Sequence, residues 1–152
     1  MSEHIATVEW IRGDQTFIDN RYSRAHDWRF DGGASVRGSS APTSVPLPMS
    51  DPAAVDPEEA LVAALSSCHM LFFLGYAAKA GLVVDRYTDE ATGVLGRDER
   101  GKTSITTVTL RPRVLFVGDE PEIAVIDDLH HKAHQACYIA NSIRAEVRIE
   151  QG

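Results

Sequence analysis

The sequence predicts an α+β fold in which antiparallel sheets pack around two central helices. Three observations carry that prediction. β-rich and helical stretches alternate as strands, helix, strands, helix, strand. One long apolar stretch, residues 57–80, begins at a helix-start signal and ends before Gly81. The closing segment, Arg144–Glu150, sets Ala145, Val147 and Ile149 against Arg144, Glu146, Arg148 and Glu150, the period-two pattern of a strand covered on one face. The chain has 152 residues, 43% of them hydrophobic, which suits a single domain over 1–152 with a proper core.

The elements follow in order. Ile5–Ile11 is rich in strand formers; Arg12-Gly13-Asp14 reads as a turn, with Gln15–Asp19 as more β-rich chain. In Ser23–Gly33, alternation places Arg24, His26, Trp28 and Phe30 on one face, and Asp31-Gly32-Gly33 closes the strand. Arg24 either ends that strand in solvent or points into a covered site. Segment 38–55 is irregular and holds four of the seven prolines (Pro42, Pro46, Pro48, Pro52). Val45, Leu47 and Met49 make it too apolar for a plain linker, so it is expected to pack over something.

Helix one opens with Asp56 as N-cap, Pro57 in the first helical position and Glu59 completing a capping box. It runs to Lys79 or Ala80 with Gly81 as its stop, about 24 residues or ~36 Å. It is apolar on nearly all sides from Ala60 to Ala78, the mark of a helix covered all round. A domain this small can hardly surround it, so a second subunit is expected. Two strands or a hairpin then flank the polar turn 97–102. Helix two opens near Glu120-Pro121 and extends past Cys137 to about Ile143.

Composition excludes some classes. The net charge is −7 with no long basic run, so nucleic acid and anionic membrane are poor partners. No uncharged apolar run is read as reaching the ~18 residues of a membrane span. The N-terminus lacks a signal-peptide layout, so the expected location is cytoplasmic. Two cysteines, Cys68 and Cys137, are too few for a cysteine-only zinc site and, in a reducing compartment, are not a structural staple. Packing, a redox pair or a mixed Cys/His site remain.

Each of the two helices carries one of these cysteines, and helices packed side by side would let the sulfurs meet. Glu58 suits the helix dipole, but it also precedes Cys68 by ten residues, ~15 Å along a straight helix. It therefore reaches no Cys68 of its own helix, only that of a partner chain whose matching helix runs antiparallel. His130, His134 and Cys137 follow i, i+4, i+7 spacing, a face that could ligate a metal with Cys68 or His26. The bland alternative is a polar edge, with His131 on another side. His69 points about 100° away from Cys68 and is not read as its base.

The run "DPEEALVAALSSCHM" with the later "AHQACYIANSI" resembles the OsmC/Ohr family of osmotically inducible and organic-hydroperoxide-resistance proteins. The carriers are Asp56-Pro57-Glu58, Cys68 ten residues after that Glu, and Ala133-His134-Gln135-Ala136-Cys137. The resemblance covers both helices and the strand order. It implies an intertwined homodimer with two interface sites, and thiol-dependent reduction of small, often organic, hydroperoxides with an external dithiol as reductant. No cofactor and no bound metal are expected. By that likeness Cys68 is the peroxidatic cysteine and Cys137 the resolving one. Glu58 pairs with an arginine that steadies the thiolate; Arg24 is the first choice, with Arg12 and Arg37 as rivals. Two departures stand out: Tyr138-Ile139-Ala140 replaces the usual Pro-Tyr/Val-Ser, and segment 38–55 is longer than in the smaller members. An OsmC-like protein that only binds an apolar ligand is the rival function, and a His130/His134/Cys137 metal site a second.

Overall fold

The computed structural model describes residues 1–151. The chain forms two compact units, Met1–Ala60 and Leu61–Gly152.

The first unit holds one antiparallel sheet, β1 (Ala6–Glu9), β2 (His26–Phe30) and β3 (Ser35–Gly38), in that spatial order. The expected strand character of Gln15–Asp19 is not realised. Gly13 and Asn20 adopt positive φ (both 61°), which bends this stretch into turns. Phe17 and Tyr22 stack instead, and Trp10 packs tilted and edge-on against them, with centroids 4.6–5.7 Å apart. Arg24 lies before β2 rather than within it, so it does not share the strand face of Trp28. Segment 38–55 closes on itself. Gly38 bridges Val55, Ser39 N–H donates to Val55 O at 3.0 Å, and Asp51 N–H donates to Ser39 Oγ at 2.9 Å. Such a loop, with joined ends, is compact rather than a tether.

α1 (Pro57–Lys79) begins and ends where its signals place it. Glu59 N–H donates to Asp56 Oδ1 (2.9 Å) and Asp56 N–H to Glu59 Oε1 (2.8 Å), a complete capping box. Gly81, at φ 75°, allows Leu82 N–H to reach back to Ala77 O at 2.9 Å. One expectation is corrected: α1 is long and apolar enough to cross a membrane by length and composition, with a mean hydropathy of 1.7 over 18 residues. Within the single chain only Leu65, His69, Phe73 and Ala77 are fully buried, one stripe spaced by four.

The second unit contains two further sheets. β4 (Val84–Asp89) pairs antiparallel with β7 (Pro112–Phe116). β5 (Thr92–Arg97) pairs antiparallel with β6 (Thr103–Leu110), and β8 (Glu146–Ile149) joins β6 in parallel. Four strands thus occupy the region read as two, because Glu90 and Arg111 break each run. β8 runs parallel to β6 because a helical crossover intervenes, which is what parallel pairing requires. A Cβ on Gly93 of β5 would stand 2.6 Å from Val62 Cγ2, so glycine lets α1 lie close on this sheet.

α2 (Ile123–Ala136) is shorter than expected: it stops before Cys137, and a single 3₁₀ turn, Ala140–Ser142, follows. One apolar cluster gathers Phe73, Ala77, Ile126, Leu129 and Ala133, and another gathers Leu65, Val108, Leu110 and Cys137.

Candidate active site

Cys68 projects from α1 towards the second cluster, in which Cys137 is fully buried. Both thiols are free, and Cys68 is half-buried. Cys137 sits just past the end of α2, in extended conformation (ψ 113°), with its N–H still bonded to Ala133 O at 2.9 Å. The following turn brings Ala140 N–H to Cys137 Sγ at 3.4 Å, which fixes the sulfur's direction. Burial pushes the Cys137 thiol above its ordinary pKa; the Ala140 N–H opposes this, and the adjacent Cys68 thiol adds to it. The structure thus brings the two sulfurs into mutual interaction. A raised, inaccessible thiol stays protonated and is a poor first nucleophile.

Access is on the Cys68 side. An apolar pocket of ≈ 390 Å³ is lined by Ala64, Ser67, Cys68, Leu71, Phe72, Tyr138 and Ile139. Phe72 and Tyr138 meet edge to face at 5.1 Å, forming an aromatic wall beside the sulfur. Tyr138 entered the sequence reading only as a departure from a motif. Its position directly after Cys137 was the one signal in the residues that it stands near the sulfurs.

Two other expected residues lie in the first unit. Glu58 is in the first turn of α1, and its Oε2 is buried without a hydrogen-bond partner. Arg24 donates from Nη1 to Asn20 O (3.1 Å) and Tyr22 O (2.5 Å), and from Nη2 to Asn20 Oδ1 (2.8 Å). Its guanidinium lies 3.7 Å from the Tyr22 ring centre. Among the described residues Arg24 and Glu58 form no ion pair. The rivals are likewise engaged away from Glu58: Arg12 donates to Gln15 O (2.9 Å), and Arg37 is paired with Asp51 (2.8 Å).

The His130, His134 and Cys137 face does not assemble as a metal site. No group of three or more His, Cys, Asp or Glu among the described residues could hold a metal ion. Cys137 caps the end of α2 and packs in the second cluster, and His130 is turned to His69, its Nδ1 3.0 Å from His69 Nε2. That pair was missed, although His69 falls midway in the Leu65–Ala77 stripe. Burial pushes both rings down to about 4, so both are neutral at pH 7.

Comparison with known proteins bears on this arrangement. An OsmC-like protein of unknown function from Vibrio cholerae is 54% identical over 100% of both chains, with a TM-score of 0.98. At 19% identity, an organic hydroperoxide resistance protein from Elizabethkingia anophelis shares the fold, with a TM-score of 0.72 over 99% of this chain and 94% of its own. The organic hydroperoxide resistance protein OhrB of Bacillus subtilis does so at 18% identity, with a TM-score of 0.69 over 99% and 98%. No curated protein sequence matches the chain. The OsmC-like protein family model matches residues 50–151, which span α1, both cysteines and every strand of the second unit, and the chain therefore belongs to the OsmC-like family.

Proposed function

We propose that this protein is a thiol peroxidase that reduces organic hydroperoxides through Cys68 and Cys137. The observation that carries the reading is the asymmetry of the two sulfurs: one opens on an apolar pocket, and the other is buried against it and stays protonated. The Cys68 thiolate attacks the distal peroxide oxygen. The O–O bond breaks, the alkoxide leaves and takes up a proton, and Cys68 becomes a sulfenic acid. The Cys137 thiol then displaces water from that sulfenic acid to form a disulfide. An external dithiol reduces the disulfide by exchange and is itself oxidised. The aromatic and aliphatic lining favours an organic peroxide over hydrogen peroxide.

The reading extends to a homodimer in a reducing compartment. Leu71 of α1 is 62% exposed, and most of this apolar helix is uncovered within one chain. The unpartnered Glu58 Oε2 is an acceptor awaiting a cation, and Arg24 is the residue proposed to supply it. That couple would stand beside the Cys68 thiolate of the second copy, where a fixed guanidinium favours the charged sulfur.

The test is intact mass under non-reducing conditions, before and after one equivalent of cumene hydroperoxide. Wild type is expected to lose two hydrogens, and Cys137→Ser to gain one oxygen on Cys68. Unchanged masses with both thiols free would sink the reading. They would favour an apolar-ligand-binding protein, for which the same pocket is suited.

A further inference from the structure

The proposed peroxide chemistry leaves unused a pair of buried rings. His69 and His130 are 1% and 3% exposed. They face each other across α1 and α2, Nε2 to Nδ1 at 3.0 Å, with their rings within 8° of parallel. Phe73 closes on His130 with centroids 4.4 Å apart. Among the described residues this is the sole hydrogen bond between side chains of α1 and α2.

Its position bears on the cysteines. His69 is the residue after Cys68, and His130 precedes Cys137 by seven residues, two turns along α2. Apolar contacts between helices are non-directional and tolerate sliding, whereas a hydrogen bond in an apolar core accepts one geometry. The pair also carries a penalty that apolar rings would avoid, because His130 Nε2 is buried with no partner. The bond therefore supplies something that packing alone does not.

We propose that the His69–His130 hydrogen bond is a positioning device that holds α1 and α2 in the register at which the Cys68 and Cys137 sulfurs can join. The inference rests on the proposed function only in requiring that this disulfide forms; it does not depend on peroxide as the oxidant. In a thiol–disulfide buffer the balance is protein dithiol plus oxidised dithiothreitol giving protein disulfide plus reduced dithiothreitol.

The experiment equilibrates the full chain with oxidised and reduced dithiothreitol and reads the disulfide fraction by mass. His130→Phe keeps the ring and loses the bond, whereas His130→Gln restores a donor and an acceptor. The disulfide equilibrium constant is expected to fall on the order of tenfold in His130→Phe, about 30 mV, and to return to within about threefold of wild type in His130→Gln. A folded His130→Phe at the wild-type constant, or a His130→Gln as weak as His130→Phe, overturns the proposal. Wild type alone also decides, because coupling is reciprocal. The imidazole ¹⁵N resonances of His69 and His130 must change between dithiol and disulfide forms, and identical resonances overturn it. So does the absence of any Cys68–Cys137 disulfide in every buffer. A normal disulfide equilibrium without reaction towards hydroperoxide would instead overturn the peroxidase reading and leave this one standing.

Discussion

The two helices each carry one cysteine and one partner of the histidine pair, yet they meet the protein differently. α2 is amphipathic: Ile126, Leu129, His130 and Ala133 are buried, while Asp127, Asp128, His131 and Lys132 are exposed. From Ile126 to Ala133 its apolar face is covered inside one chain, with Ile123 and Val125 of the first turn exposed. α1 is apolar on nearly every side but buries only the stripe Leu65, His69, Phe73 and Ala77. A helix whose apolar surface exceeds what its own fold covers points to a second contact surface, and the half-buried Cys68 lies at the boundary, packed against the second cluster and open to the pocket. Cys137, at the end of the satisfied helix, is sealed. The contrast between a reachable and a sealed sulfur is thus a contrast between the two helices.

The strongest way to break this comparison is to remove each sulfur. Cys68→Ser is expected to lose peroxide consumption by orders of magnitude, because the nucleophile is gone. Cys137→Ser should keep the first fast reaction with one equivalent and then stop. Stopped-flow consumption of cumene hydroperoxide checks both. Equal first-turnover rates in the two variants would erase the asymmetry.

Next in size is truncation on the two sides of α1. Phe73→Ala, at a fully buried site, is expected to lower stability by about 3–5 kcal/mol in urea unfolding. Leu71→Ala should change the stability of one chain by less than about 0.5 kcal/mol, as surface substitutions do. Its effect belongs in self-association, read by sedimentation at several concentrations. A large concentration-independent loss for Leu71→Ala would show that the exposed side is covered within the chain itself.

Acid acts on the stripe through its histidines. Both rings are pushed down from 6.5 to about 4 by burial, so the folded protein binds fewer protons than the unfolded chain between those values. This contribution to stability is fully present above about pH 6.5 and is lost as the pH falls towards about 4. The first protonation carries about 3 kcal/mol. The titratable groups bearing on the pair are His134 and Asp127 of α2 and Asp89 of β4. Urea midpoints across this window should fall in wild type and flatten in a His69→Phe/His130→Phe double variant; parallel curves would contradict the assignment.

The smallest effect is at the start of α1, whose ends are set locally. Asp56→Ala removes the side-chain half of the capping box, the Asp56 Oδ1 that accepts from Glu59 N–H, and is expected to cost about 1 kcal/mol by urea unfolding. No change would mean that tertiary contacts alone fix that terminus.

Much of this was legible in the residues. The ends of α1 were readable because caps are local chemistry: Asp56, Pro57, Glu59 and Gly81 act within a turn of where they stand. β8 was readable from its alternation. The end of α2 was not. "CYIANS" contains no glycine or proline to stop a helix, and the stop arises where Ala140 N–H turns to Cys137 Sγ. Gln15–Asp19 carried strand formers, but Trp10, Phe17 and Tyr22 pack better on each other than as a strand. Arg24 was assigned to a face by extending an alternation two residues beyond the strand that supports it.

By itself the sequence determined the α+β order, the span of α1 and the ten-residue interval from Glu58 to Cys68. Those follow from spacing and local chemistry, which need no knowledge of what packs where. Only the tertiary structure decided that Cys137 is sealed while Cys68 opens on a pocket, that Tyr138 forms its wall, and that His69 and His130 tie α1 to α2. Burial and cross-helix bonding depend on residues far apart in the chain, His69 and His130 being separated by 61 positions, and a sequence pattern carries no distance between them.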